Sequence, residues 1–154
     1  MEKRWQFDVK AKGVEGYLSW VKDKQRPEGA VLARFKTLVI PKTLDGGFKD
    51  LVEEPASSIP ALDVQVDDFS LNDLKLGSLT LRAVNQSHDE QARLAGRERE
   101  WLLEELRVQN PESTTLAKGI WRYTPGLTRQ STDIDINQTV RDAGGMLNRL
   151  GMNE

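Results

Sequence analysis

The sequence predicts a mainly β fold of the α+β class, a curved antiparallel sheet of about six to eight strands with one short C-terminal amphipathic helix. Three observations carry this. Apolar and polar residues alternate through most of the chain, the period-two signature of strands. Two tryptophan-bounded strand-turn-strand units, residues 5–20 and 101–121, stand among the other strands as a weak internal repeat of architecture. After Ile136 the period changes to that of a helix.

The first unit begins with Trp5, Phe7, Val9 and Ala11 alternating against Gln6, Asp8 and Lys10, and Gly13 to Gly16 turns it into Tyr17-Leu18-Ser19-Trp20. A charged stretch with Pro27 and Gly29 leads to a third strand over 30–40, in which Val31, Ala33 and Phe35 alternate with Leu32, Arg34 and Lys36 until Pro41 ends it. These are the N-terminal strands, residues 1–41. Residues 42–60, with Gly46, Gly47, Pro55, Ser57, Ser58 and Pro60, read as a mobile connector that crosses over the sheet or hangs free.

The main sheet strands, 61–137, follow. Leu62, Val64 and Val66 share one parity and Asp63, Gln65 and Asp67 the other, as in a sheet with one wet face, and Phe69 and Leu71 extend the strand. Asn72-Asp73 marks a tight turn into a partner strand where Leu79, Leu81 and Ala83 alternate with Ser78, Thr80 and Arg82. Residues 85–90 are polar loop, and 92–96 are read as a short strand in preference to joining 97–106 in a helix. In the second unit Leu106 and Val108 alternate with Arg107 and Gln109, Asn110-Pro111-Glu112-Ser113 supplies turn chemistry, and 116–123 returns. The last strand, 128–136, sets Thr132, Ile134 and Ile136 against Asp133 and Asp135. A helix is expected over 138–151: Thr139 and Asp142 resemble a capping box, Val140, Ala143, Leu147 and Leu150 share a face, and Gly151 stands at the C-terminal cap. It should lie on the sheet, docked through Val140, Leu147 and Leu150.

At 154 residues the chain is read as a single β-rich segment. No apolar run reaches membrane-spanning length, and the N-terminus lacks the order of a signal peptide, so the chain reads as cytoplasmic or as an excised piece. Its 22 basic and 24 acidic residues leave a net charge of −2, and the basic ones are scattered, which argues against a nucleic-acid partner. With no cysteine, thiol chemistry, disulfides and cysteine zinc sites are excluded. The single histidine, His88, is read as a solvated loop residue, so no metal or cofactor site is expected. Asp67-Asp68, Glu104-Glu105, Asp133 and Asp135 include enough carboxylates for glycoside chemistry, but a solvated sheet face accounts for them better. Gly144-Gly145 lies within the helical stretch and not between a strand and a helix, so it reads as close packing or a fray and not as a phosphate loop. The four tryptophans read as core or groove lining. The apolar stripes fit two structures equally, a buried sheet face or one offered to acyl chains.

A family resemblance bears on that choice. Ala33-Arg34-Phe35-Lys36-Thr37-Leu38-Val39-Ile40-Pro41, a Pro-containing spacer, and Ile59-Pro60-Ala61-Leu62-Asp63-Val64-Gln65-Val66-Asp67-Asp68-Phe69 come in succession. They are followed by Lys75-Leu76-Gly77-Ser78-Leu79-Thr80-Leu81-Arg82-Ala83, Leu106-Arg107-Val108 with Asn110-Pro111-Glu112, Leu116-Ala117-Lys118-Gly119-Ile120-Trp121, and 142–151. This order resembles the YhdP branch of the AsmA-like envelope proteins of Gram-negative bacteria. Residues 87–100 are more charged than that strand repeat. The resemblance implies an internal, non-enzymatic piece of a long periplasmic protein anchored in the inner membrane, with an apolar β-sheet groove for phospholipid transport to the outer membrane and no catalytic residues. On that reading Leu62, Val64, Val66, Leu79, Leu81, Ile134 and Ile136 face lipid, and the partners are acyl chains and neighbouring segments of the parent chain, with membrane association through parts of the parent outside this chain. The alternative is a structural or protein-interaction domain whose apolar face is closed by the terminal helix.

Overall fold

A computed structural model of the chain describes residues 2–24, 27–41, 59–87, 89–96, 100–122 and 131–152. Alternation becomes eight strands: β1 (Lys3–Ala11), β2 (Val14–Lys22), β3 (Ala30–Ile40), β4 (Ala61–Leu71), β5 (Leu74–Asn85), β6 (Glu100–Gln109), β7 (Ser113–Arg122) and β8 (Ser131–Val140). They form one open sheet in sequence order, with β1 and β8 as its edges. Neighbours are antiparallel at every junction but one. β3 and β4 run parallel from Ala30 beside Ala61 to Ile40 beside Leu71, so the sheet is mixed and not wholly antiparallel. The cause is the chain between Ile40 and Ala61: a parallel pair needs a return of a dozen or more residues, and residues 41–60 supply it. The connector 42–58, His88 and residues 123–130 lie outside the described residues.

Two helices depart from the sequence expectation. Residues 92–96 are not a strand; α1 (Glu90–Leu94) starts two residues earlier, where the Asp89 side chain accepts from the Ala92 amide at 2.8 Å. Glu90, Gln91, Ala92, Arg93 and Leu94 are all residues that lose little on entering a helix, and Asp89 is a strong N-cap. The terminal helix, α2 (Ala143–Arg149), is shorter than expected and begins five residues later than 138. Thr139 and Val140 pair with Thr114 and Ser113 in the β7·β8 ladder, so Asp142 becomes the cap, its carboxylate accepting from Gly145 N at 3.0 Å.

The position of α2 also differs. It sits at the end of the sheet where the hairpin turns gather, and its register with the sheet is set by ion pairing. Arg149 Nε donates to Glu112 in the β6–β7 turn at 2.7 Å, and Arg149 Nη1 donates to Lys75 O at 3.0 Å. A Cβ on Gly145 would stand 2.7 Å from Glu112 Cγ, so this glycine permits the close approach that Gly144-Gly145 suggested.

Turn chemistry closes the hairpins. Asn72 and Asp73 both adopt left-handed backbone, with φ of 53° and 66°, as a two-residue turn between twisted strands requires. At the β6–β7 turn the Asn110 carboxamide accepts from Glu112 N and Ser113 N and donates to Leu76 O across the sheet at 3.0 Å. Beside it, Gly77 has φ of +97°, and a Cβ there would stand 2.1 Å from Gln109 O.

Two outcomes follow from these contacts. Gly77→Ala meets both a strained backbone and a backbone oxygen, so urea unfolding should show a loss of more than about 1 kcal/mol. The hydrogen bond from Arg149 holds the Glu112 carboxyl below its ordinary range, against a smaller opposing effect of burial. A depressed pKa makes this contact fully stabilising above the unfolded-state value and weakens it as pH falls through the folded one. The Arg149 side-chain NMR shifts should therefore move in acid, and in Glu112→Gln they should lose that titration.

Candidate functional site

Residues directly opposite one another on paired strands present their side chains on the same face. The registers therefore define rows that cross the sheet. One row is Trp5, Trp20, Val31, Leu62, Ala83, Leu103, Gly119 and Ile134. The next is Phe7, Leu18, Ala33, Val64, Leu81, Leu106, Ala117 and Ile136. Neither contains a polar side chain. A third, Val9, Gly16, Phe35, Val66, Leu79 and Val108, turns polar only at Thr115 and Gln138. The seven residues singled out from sequence, Leu62, Val64, Val66, Leu79, Leu81, Ile134 and Ile136, all fall on this one face. The N-terminal half of the rows and Leu103, Leu106 and Ala117 were not in that set.

Bulges explain how the rows stay continuous. Between Leu103 and Leu106 the register shifts, so residues three apart lie on the same face and the intervening Glu104 and Glu105 both turn to the other. A shift at Glu15/Gly16 and another between Val66 and Phe69 make similar adjustments. Strict alternation cannot anticipate such shifts.

Exposure is graded across the face. Ala33, Val66, Ala83 and Leu103 near the middle are at most 5% exposed, whereas Phe7 on β1 is 53% and Ile136 on β8 is 70%. Ala83, Trp101 and Leu103 form the buried centre, with Ile59, Leu62, Leu81, Leu106 and Trp121 against them. All four tryptophans lie on this face at the end opposite α2. Trp5 and Trp20 pair across β1·β2 with centroids 5.7 Å apart, and Trp101 and Trp121 pair edge-on across β6·β7 at 5.4 Å. Trp101 Nε1 donates to Pro60 O at 3.1 Å and Asn85 Nδ2 to Ile59 O at 2.7 Å, fixing the chain as it enters β4.

The three residues assigned to helix docking are dispersed. Val140 ends β8, Leu147 is exposed, and Leu150 is half-buried. From its place at the turn end, α2 reaches this face where Gln138 Nε2 donates to Met146 Sδ at 3.7 Å, in the third row and beyond the first two. The helix therefore does not lie over the sheet as the sequence suggested.

The opposite face is charged. Arg34 meets Asp63 at 3.1 Å, Arg82 meets Glu105 at 2.9 Å, and Arg107 reaches the same carboxylate at 3.2 Å, a ladder across β3 to β6. Exposed pairs of this kind add little stability, about 0–1 kcal/mol each, but they keep the face wet. Two clefts, of about 630 and 490 Å³, open on this side; Arg82, Glu104, Lys118 and Asp135 line both, and Asp133 joins the smaller. Glu104, Asp133, Asp135, Asp67 and Asp68 are exposed here or at the strand ends. At the tryptophan end the buried Glu100 carboxylate is paired with Arg122 across β6·β7. Among the described residues no three metal-ligating side chains converge, and no helix is long and apolar enough to cross a membrane.

Among the described residues, the fold and this face define a class: an open sheet, with no second layer, that carries an apolar face on one side and a charged one on the other. Within it, the chain belongs to the YhdP family, whose model, described as YhdP protein, matches residues 1–154. That membership suggests a segment of an AsmA-like envelope protein. No curated protein and no solved structure matches the chain.

Trp101→Ala, which empties a site only 7% exposed, should cost about 3–5 kcal/mol in urea unfolding, whereas Trp5→Ala, at 40% exposure, should cost less than half of that.

Proposed function

We propose that the apolar face is a bed for phospholipid acyl chains, in a non-enzymatic periplasmic segment that contributes to phospholipid transport between the inner and outer membranes and so to the outer-membrane barrier. The observation that carries this reading is the pair of apolar rows running unbroken from β1 to β8. An acyl chain laid along them exchanges water for hydrocarbon at every carbon, worth about 0.8 kcal/mol per methylene. An open surface of this kind suits a path that must release as well as hold. Lipid headgroups stay toward solvent, while the charged face keeps the far side of the sheet in water.

The rows end at two sheet edges, and in the parent chain neighbouring segments continue the path. Anchoring in the inner membrane falls to other parts of that chain. No cofactor or nucleic acid enters this reading.

The test is site-specific photo-crosslinking in the intact parent protein in cells. Probes at Val64 and Leu81, in register on the apolar face, should give lipid adducts, and probes at Gln65 and Arg82, of opposite parity, should give none. Protein adducts only at Val64 and Leu81, or lipid adducts equally at all four positions, would overturn the reading.

A further inference from the structure

At the tryptophan end the apolar face gives way to positive charge. Lys3 and Lys22 are direct partners in the β1·β2 ladder, two residues beyond Trp5 and Trp20, so they stand on the same face about 7 Å further along the strands. Two ammonium groups opposite one another repel, and like charges so placed destabilise a sheet. Among the described residues neither lysine meets a carboxylate. By contrast Arg34, Arg82, Arg107 and Arg122 each have a carboxylate partner, and Arg149 at the turn end is held by Glu112. The Lys22 side chain folds back along the sheet instead, with its Nζ 4.4 Å from the centroid of the Trp20 ring. The ring face attracts the cation and keeps it at the margin of the apolar rows. Lys22 lies on β2, between β1 and β3, so the cationic pair is a property of the face and not of the sheet edge.

Along the strands the chemistry thus runs in the order of one leaflet of a bilayer: apolar rows, then indoles, then ammonium groups. Indoles settle where hydrocarbon meets water, and lysine stems lie along apolar surface while the charged end reaches polar ground. A phospholipid whose acyl chain starts over Trp5 and Trp20 and follows the row through Val31 and Leu62 brings its phosphate to Lys3 and Lys22. The phosphate relieves the repulsion between them. A headgroup that carries its own ammonium gains less, because that cation meets two others and no acid.

We infer that Lys3 and Lys22 are the headgroup anchor of the apolar face, binding the phosphate of an anionic phospholipid in preference to a zwitterionic one. The inference rests on the acyl-chain reading above and gives the headgroup a place and a charge. The chain as a whole carries a net charge of −2, so a preference for anionic lipid has to come from a local arrangement.

Lipids with identical hexanoyl chains separate head from tail. Binding of dihexanoyl phosphatidylglycerol, dihexanoyl phosphatidylethanolamine and inorganic phosphate to the chain is followed by phosphorus NMR below the micellar concentrations. The glycerol lipid should bind about threefold to thirtyfold more tightly than the ethanolamine lipid. Lys22→Gln should weaken the glycerol lipid about threefold to tenfold and leave the ethanolamine lipid unchanged, which also shows that the variant is folded. Lys22→Arg should keep the preference, and Lys118→Gln, which removes a charge from the opposite face, should not alter it. Equal affinity of the wild-type chain for both lipids, or an equal loss of preference in Lys118→Gln, overturns the headgroup inference and leaves the acyl-chain reading standing. Inorganic phosphate binding as tightly as the glycerol lipid makes this an anion site without a lipid role and overturns the inference as well. Binding of neither lipid overturns the acyl-chain reading, and the inference with it.

Discussion

Register is the constraint on which the rest of this structure depends. Side chains in a strand alternate strictly, so a slip of one residue at any junction would turn an apolar row into a charged one for every strand beyond it. Seven junctions have to agree before Trp5 and Ile134 share a row. The backbone ladders alone do not secure that agreement. It is secured by tight turns at Asn72-Asp73 and at Asn110, by the ties from Asn85 and Trp101 to Ile59 and Pro60, and by bulges that absorb the residues that would otherwise break phase.

With register in place, the two faces divide the work of solubility and cohesion. One carries paired charges that tolerate water on a sheet with no second layer among the described residues. The other gathers its apolar side chains tightly only near the middle, where alanines and Leu103 pack beside Trp101. Toward β1 and β8 the same face opens. The protein is therefore held together by a narrow buried strip and a long ladder of hydrogen bonds, and its apolar face is exposed at the two edge strands.

Much of this was legible in the sequence because it is local. The strand 30–40 appears with the bounds read from its alternation and from Pro41, and the tryptophans that bracket each unit prove to be direct cross-strand partners. What was hidden is non-local or breaks a simple period. Nothing in Ala61 to Leu71 says that its neighbour runs parallel. Leu103 and Leu106 share a face although their spacing denies it, because Glu104 and Glu105 are bulged together. Helix α2 starts late because Thr139 and Val140 bond to β7 before the helix can claim them, a tertiary pairing that outweighs a capping pattern. The candidate face was half visible: its C-terminal members had the right parity, and only the registers joined them to Trp5, Phe7 and Leu18.

The gathering of all four indoles on one face and at one end has a spectroscopic consequence. The chain's intrinsic tryptophan fluorescence comes from that end alone, from two ring pairs whose members range from Trp101, sealed against the entry to β4, to Trp5, open to solvent. Emission thus samples the polarity of the apolar face near Ile59 and is blind to the hairpin turns and α2. A hydrocarbon settling over Trp5 shifts the exposed component to the blue and leaves the buried one unmoved, so the protein carries its own directional reporter without a label.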